Sequence, residues 1–430
     1  MAKKTKAASL TIEEKLEQAL VVPGYEPYKI PDNWCWLKLL ASFDNCTDSK
    51  KKIQQKKYLK DGAWTIIDQG KQEVGGYTND EALLYSGILP VIIFGDHTRC
   101  IKYIDFPFAQ GADGVKVLRP KFFYSSKLFY YALQSVEIPN LGYRRHFPIF
   151  DRFAIPLPPL PEQQRIVERI ESLFSKLDEA KEKAQEVIDS FETRKAAILH
   201  KAFTGELTAK WREENGVGID EYPVYRFSEV AEIKSNLVDP AEYQDYPHIA
   251  PDNIEKKTGV LLDYHTIRED GVTSGKHRFY PGQILYSKIR PNLSKLVIVD
   301  FDGLCSADMY PIEAKGDTKC LWYYMLSEEF LEQASSAGSR SVLPKINQKE
   351  LSALRIRMPS SIDEQKEISR LLDSLIEKEY QSKQVAESVI DQIDAMKKAI
   401  LARAFRGELG TNDPEEESAV ELLKQILSGE

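Results

Sequence analysis

Between Glu162 and Leu207 apolar residues recur in alternating steps of four and three: Ile166, Ile170, Leu173, Leu177, Ala180, Ala184, Val187 and Phe191, with Ile198 resuming the register. This spacing draws one apolar stripe along an α-helix, the seam by which helices pack side by side. "LPPLPEQQ" (157–164) precedes the stretch, and no Gly or Pro interrupts it before Gly205. Proline ahead of the start and glycine past the end are helix boundary signals. The stripe returns over Glu364–Leu409 as Ile368, Leu372, Leu375, Ala386, Val389, Ile393, Met396 and Ile400, interrupted in its middle by Glu379 and Ser382. The two segments align without a gap, with 20 of 46 positions identical, and they end on "AFTGEL" (202–207) and "AFRGEL" (404–409). A shared heptad pattern explains shared apolar character but not this identity, so the chain carries a duplicated rod. At a rise of 1.5 Å per residue, each rod is predicted to be roughly 65–70 Å long.

The segments ahead of the rods have another pattern. Short apolar and aromatic runs such as "LPVIIF" (89–94), "KYIDFPF" (102–108), "GQILYSKI" (282–289) and "KLVIVDF" (295–301) are bounded by Gly, Asp, Asn and Pro, as strands and turns are. Short helical patterns, "KLFYYALQS" (127–135) and "WYYMLSEEFLEQAS" (322–335), lie between them. The predicted class is α+β: two mixed globular heads separated by two long antiparallel coiled-coil helices, a tandem repeat with pseudo-twofold symmetry. The expected division is a tail and short helix (1–24), a first head (25–157), a central rod and linker (158–221), a second head (222–358), a second rod (359–410) and an acidic tail (411–430). The heads do not resemble each other in sequence. Like rods with unlike heads suit a clamp that holds two different readers apart, and the amphipathic "TIEEKLEQALVV" (11–22) is expected to pack near the acidic tail.

Composition narrows the class. Hydrophobic residues are 42% and charged residues 29% of 430, an ordinary balance for a globular chain, and no run approaches a membrane span. "MAKKTKAASL" is basic without a following apolar stretch, so it reads as a frayed tail and not as a secretory signal. Five scattered cysteines without a C-x-x-C pair fit reduced thiols in a cytoplasm, and the six dispersed histidines lack zinc-ligand spacing. The net charge of −8 hides an uneven distribution: residues 25–157 carry 18 Lys/Arg against 14 Asp/Glu, whereas residues 359–430 carry 9 against 16. One head is therefore locally basic, and that local sign bears on partners more than the sum does.

Motifs for catalysis are absent. Neither "QEVGGYTN" nor "QGADGVK" matches a phosphate loop, and there is no N-P-P-Y strand end or G-x-S-x-G elbow. Asp302 with Glu313-Ala-Lys315 weakly resembles a nuclease cluster, although one E-x-K triplet is expected by chance in a chain this charged.

Polar loops in the heads are the candidates for recognition. "DSKKKIQQKKYLKDG" (48–62), with Lys51 and Lys56, could touch phosphates or be a solvated loop. "EVGGYTND" (73–80) joins Gly76 to Tyr77 and Asn79, "GDHTRCIKY" (95–103) supplies His97, Arg99 and Lys102, and "LGYRRHFP" (141–148) supplies Tyr143, Arg144 and Arg145. In the second head, "YSKIRPNLSK" (286–295) offers Ser287, Lys288, Arg290, Asn292 and Lys295, and "SSAGSRSVLPKIN" (335–347) offers Arg340, Lys345 and Asn347. Arginine suits a bidentate contact with guanine and asparagine one with adenine. The second head is slightly acidic, so these stretches would have to supply its positive surface.

Taken together, "YKIPDNWCWLKL" (28–39), "LPPLPEQQRIVERI" (157–170), "KAAILHKAFTGELTAKWRE" (195–213), "GQILYSKIRPNLSK", "GSRSVLPKIN" and "KKAILARAFRGEL" (397–409) resemble the specificity subunits of type I restriction–modification systems. The likeness extends over nearly the whole chain, although "MPSSIDEQ" (358–365) replaces the more usual proline-rich exit. The resemblance implies a non-catalytic subunit whose two target-recognition domains each read half of a split, asymmetric DNA sequence. It also implies rods that space the heads and dock two methyltransferase subunits, with restriction/translocase subunits joining through them. Docking then falls to the repeated rod residues Glu162, Gln163, Lys195, Phe203, Glu364, Gln365, Lys397 and Phe405. S-adenosylmethionine, ATP and Mg are expected on the partners, with none bound by this chain. The alternatives are a fused or cryptic Mg-dependent nuclease and a coiled-coil protein adaptor.

Overall fold

A computed structural model describes residues 11–218, 222–337 and 344–429. The chain forms two compact units, Met1–Lys183 with Val389–Glu430, and Ala184–Ser388. The divisions fall inside the rods and not at the head–rod junctions near residues 157 and 358, because each head grips the rod beside it.

In the first unit the head is closed by its first and last strands, Cys35–Lys38 and Ala154–Leu157, paired antiparallel. Between them lie a four-stranded antiparallel sheet in the order Phe43–Asn45, Val115–Pro120, Val91–Gly95, Ile101–Ile104, and a three-stranded sheet in the order Gly76–Thr78, Trp64–Ile67, Phe108–Gln110. Val91–Gly95 is buried along its whole length, which is why its sequence runs apolar without alternation. The helix Ser126–Ser135 lays Leu128, Phe129, Ala132 and Leu133 into the core.

The second head is closed in the same way, by Val224–Arg226 against Arg355–Arg357. It holds a four-stranded sheet in the order Ala231–Ile233, Met309–Ala314, Ile284–Ser287, Leu296–Ile298. A five-stranded sheet follows the order Leu237–Val238, Lys276–Phe279, Gly303–Cys305, Pro247–Ile249, His265–Thr266. The single helical pattern at 322–335 is two helices, Thr318–Met325 and Glu328–Ala337.

The second rod is one helix, Ile362–Ala404, but the first is two, Leu160–Asp189 and Phe191–Phe203. The break has a local cause. Ser190 Oγ donates back to the Glu186 carbonyl and accepts from Arg194, whose other Nη donates to the Val187 carbonyl at 3.1 Å. Such back-bonding bends a helix, here with the Ser190 amide still on the Glu186 carbonyl and the Arg194 amide on the Ser190 carbonyl, both at 3.0 Å, and the matching position of the second rod is Gln392, which cannot do the same. The rods run antiparallel where they meet in each unit. Lys181 pairs with Asp394 at 3.2 Å and Lys397 with Asp178 in the first; Arg194 meets Glu379 at 2.7 Å and Phe191 meets Tyr380 at 4.9 Å in the second. The predicted seam drifts: Ala180 is exposed, Met396 is 51% exposed, and Leu199 and Leu401 are buried while Ile198 and Ile400 are half-buried. A straight helix slips about 20° per heptad against a 3.5-residue repeat, so one stripe cannot face inward over about six heptads.

The duplicated hexapeptide closes both rods with a left-handed glycine, Gly205 at φ +86° and Gly407 at φ +74°. At Gly407 the Glu408 amide donates to the Arg403 carbonyl at 2.9 Å, the six-to-one bond of a Schellman turn. A Cβ on Gly407 would stand 2.4 Å from Pro31 Cγ, and one on Gly205 would stand 2.5 Å from Nη2 of Arg212, a buried guanidinium that donates to the Gly205 carbonyl at 2.6 Å. Gly407→Ala is therefore expected to cost about 2 kcal/mol or more, from a left-handed backbone and a rigid clash together. Gly205→Ala should cost a similar amount, because the guanidinium it meets is buried and bonded, and urea unfolding of the two variants measures both. Past this turn, Ala419–Gly429 packs against the helix Ile12–Ala19 as expected, with Lys15 Nζ donating to the Leu427 carbonyl at 2.9 Å.

Candidate nucleic-acid interface

In the first head two groups of loops gather the candidate residues. Gln55, Tyr58, Lys60, Gly75, Gly76 and Tyr77 line a groove of about 400 Å³. A Cβ on Gly76 would lie 2.8 Å from that of Tyr58, so glycine lets the strand close on the tyrosine. Lys56 and Asn79 are exposed nearby, and Asn79 Oδ1 accepts from the Ala63 amide at 2.9 Å. Lys51 is half-buried and donates to the Leu84 carbonyl at 2.8 Å.

The second group is built around His146. Its buried ring takes the Leu141 amide at Nε2 (3.1 Å) and faces the Asp96 carbonyl through Nδ1 (2.8 Å), while Asp96 Oδ1 accepts from the Phe147 amide at 2.7 Å. His97 Nδ1 lies 3.2 Å from the Tyr143 carbonyl. These bonds fix the backbone of the loop and leave its tip to solvent: Tyr143 is 100% exposed, and Arg144 and Arg145 beside it are exposed without an ion pair among the described residues. An aromatic ring and two guanidinium groups on a pinned loop can stack on, or donate to, a nucleic acid with little ordering cost.

Lys102 does not belong to this surface. It is buried, and its ammonium donates to the Gln72 carbonyl at 2.5 Å and lies 3.6 Å from Asp68. Burial pulls its pKa down and Asp68 opposes that. The period-two alternation of Ile101–Ile104 turns Lys102 inward, where it ties down the loop behind the glycines. Arg99, with left-handed φ +62°, likewise spends a guanidinium N–H on the Ile138 carbonyl at 3.0 Å.

In the second head the loop 288–295 is held in an unusual shape. Arg290 and Ser294 both have φ +46° and flank the short turn Pro291–Leu293. The Arg290 amide donates to the Pro344 carbonyl at 2.8 Å, and the Ile346 amide to the Lys288 carbonyl at 2.9 Å. Arg290 and Asn292 are exposed, as is Lys345, which pairs with Asp308 at 3.3 Å. Ser287 is buried and donates to the Ile289 carbonyl at 3.1 Å, which removes it as a reader. Asn347 caps the helix Gln348–Ala353 through the Glu350 amide at 2.9 Å, so its acceptor is committed to structure. Lys288 and Lys295 donate to the Ala307 and Pro251 carbonyls at 2.6 and 2.8 Å. Arg340 lies outside the described residues.

Arg278 lies outside the loops that sequence singles out. Its guanidinium lies 5.0, 5.3 and 5.9 Å from the rings of Tyr280, Tyr243 and Tyr246. Only "RFY" (278–280) hints at this, since two of the rings come from another segment.

The nuclease alternative finds no assembled site. Glu313 is paired with Lys234 at 3.3 Å, Lys315 donates to the Ser228 carbonyl at 2.8 Å, and the described residues gather no three His, Cys, Asp or Glu for a metal.

The repeated rod residues face inward, and this corrects their placement as docking groups. Glu162, Gln163, Phe203, Glu364, Gln365 and Phe405 are buried, as is Lys195, which donates to the Lys257 carbonyl at 2.8 Å. Glu162 accepts from Trp34 Nε1 at 2.6 Å and Asn412 at 2.9 Å; Glu364 accepts from Tyr222 at 2.6 Å and Thr208 at 2.7 Å. Gln163 bonds the Ser125 amide and the Phe123 carbonyl, and Gln365 the Asp317 amide and the Pro359 carbonyl, at 2.7–2.9 Å. Lys397 is half-buried over Phe174. Repetition at these positions reflects two equal head–rod junctions.

Known proteins share this plan. The chain is 38% identical over 316 residues to the type I restriction enzyme EcoDI specificity subunit of Escherichia coli, covering 67% of this chain and 71% of that one. It is 25% identical over 344 residues to the EcoBI specificity subunit, covering 70% and 71%. The HsdS subunit from Thermoanaerobacter tengcongensis has the same fold, with TM-score 0.54, 17% identity, and 89% of this chain and 99% of that one aligned. A chain from a type I restriction–modification assembly gives TM-score 0.60 at 17% identity, over 89% of this chain and 100% of that one. The sequence pattern of the type I restriction modification DNA specificity domain matches twice, at residues 47–189 and 219–388, each match taking in most of a head and the start of the rod after it. With two unlike heads, two equal junctions and two matches to one pattern, the chain belongs to the family of type I restriction–modification DNA specificity subunits.

Proposed function

We infer that this chain supplies sequence recognition to a type I restriction–modification complex and performs no chemistry itself. Each head reads one half of a split, asymmetric DNA target, and unlike heads make the halves differ. The observation that carries this reading is the pinned loop of the first head, which presents Tyr143, Arg144 and Arg145 to solvent free of any ion pair among the described residues. The equal rods offer two equivalent places for one methyltransferase. With the buried repeat residues unavailable, the exposed matching pair Leu160 (51%) and Ile362 (50%) marks those places. S-adenosylmethionine, ATP and Mg belong to the partners, which act with this chain on double-stranded DNA in the cytoplasm.

Mapping methylated adenines in cells that carry the system should return one bipartite motif with unequal halves. Gel shifts of the assembled complex should show DNA binding that weakens steeply with salt, and salt-insensitive or absent binding would leave the adaptor reading in its place. Within the second head, Arg290→Ala is expected to cost about 1–3 kcal/mol at one half-site and relax its sequence. An equal loss on every sequence would make Arg290 a phosphate contact.

A further inference from the structure

Beneath the lysine loop of the first head lies a pocket of about 250 Å³ lined by Cys46, Asp48, Lys51, Tyr85, Gln110 and Arg119. Gln110 is 2% exposed on a fully buried strand, and its amide orientation is set because Oε1 accepts from the Asp48 amide at 3.3 Å. Its Nε2 is therefore the end left over, a buried donor with no partner. A buried N–H without an acceptor is costly, so the pocket is built for a group that brings one. Two cations border it. Lys51 uses one N–H on the Leu84 carbonyl and has no carboxylate partner among the described residues. Arg119 shares Asp44 with Lys121, at 3.0 and 2.8 Å, so one carboxylate serves two cations. Asp48 is the opposing charge, with Oδ1 engaged by the Lys50 amide at 2.8 Å.

We propose that this pocket is a phosphoryl-binding subsite, with the Gln110 amide as its floor and Lys51 and Arg119 as its walls. The proposal rests on the DNA-binding reading and deepens it: the phosphoryl group is a backbone phosphate of the bound duplex, or else a free phosphate held in the same cradle. The pocket is smaller than the roughly 300 Å³ at which drug-sized ligand sites begin, which suits one tetrahedral anion. A backbone phosphate there would fix the register of the head on DNA without reading a base.

The test uses the full chain assembled with its modification subunits, a duplex carrying the target, a scrambled duplex and inorganic phosphate. Gln110→Met and Lys51→Met are each expected to weaken both duplexes by the same factor, about tenfold, and Lys51→Met, which removes a charge, to make the salt dependence shallower by about one. Lys51→Met guards against a folding defect, because its side chain is half-buried whereas Gln110 is 2% exposed. Unchanged DNA binding, with phosphate raising the Tm of the wild type but not of Gln110→Met, supports the site with free phosphate as its occupant. Unchanged DNA binding and no phosphate effect on Tm overturns the proposal, and so does a loss confined to the target duplex, the mark of base reading. An Arg144→Ala/Arg145→Ala control separates the two levels. If it loses DNA while the pocket variants respond to neither probe, the subsite alone fails; a wild type without salt-sensitive binding overturns the reading beneath it.

Discussion

Glu364→Ala is expected to destabilise the second unit by about 3–5 kcal/mol, the cost of removing one member of a buried charged cluster. The carboxylate is 2% exposed and accepts from Tyr222 and Thr208, with Arg212 Nε 3.5 Å away. Burial first, and then the carboxylate, push the Tyr222 phenol far up, so it stays a donor. Truncation removes the carboxylate that faces a buried guanidinium, and it takes one bond from each of the Thr208 and Tyr222 hydroxyls, which lie 2.7 Å apart. Chemical denaturation followed by fluorescence measures the loss, and a variant as stable as wild type would remove the cluster from any structural role. Glu162→Ala should do the same to the first unit through Trp34, Thr411 and Asn412.

The largest functional effect is expected from Arg144→Ala/Arg145→Ala. Two charge-bearing contacts are worth about 2–4 kcal/mol together, or roughly 30- to 1,000-fold in DNA affinity. The side chains have no ion pair or hydrogen bond among the described residues, so the Tm should not move. Titrations at several salt concentrations separate their roles. Phosphate contacts lower the slope by about two and weaken every duplex alike, whereas base contacts relax only the half-site read by the first head. Wild-type affinity in the double variant would take this loop out of the interface.

Much of the architecture could be read from the chain because its signals are local. Heptad spacing, flanking proline and a repeated glycine turn marked the rods, and apolar runs marked the buried strands. The Ser190 break was not visible, because it depends on where one hydroxyl and one guanidinium point. Within the candidate surface, sequence found the exposed tips but could not tell them from cations that serve the fold. Lys102 is turned inward by strand alternation, Ser287 ends a strand buried along its whole length, and Asn347 is a helix cap. Gln110 and the Arg278 cluster were out of reach for a different reason: their neighbours are assembled from separate segments, and "RFY" (278–280) is the one local mark between them. The shared closure of the two heads was also hidden, since strand pairing constrains main chain more than residue type.

The Gln163 and Gln365 amides touch their heads only through peptide groups: Ser125 N and Phe123 O in one case, Asp317 N in the other. Bonds of this kind are indifferent to the side chains grafted above them, whereas the neighbouring Glu162–Trp34 and Glu364–Tyr222 bonds each demand a particular one. Recognition modules can therefore diverge above these amides, provided that each keeps the one side chain, Trp34 or Tyr222, that the adjoining glutamate holds.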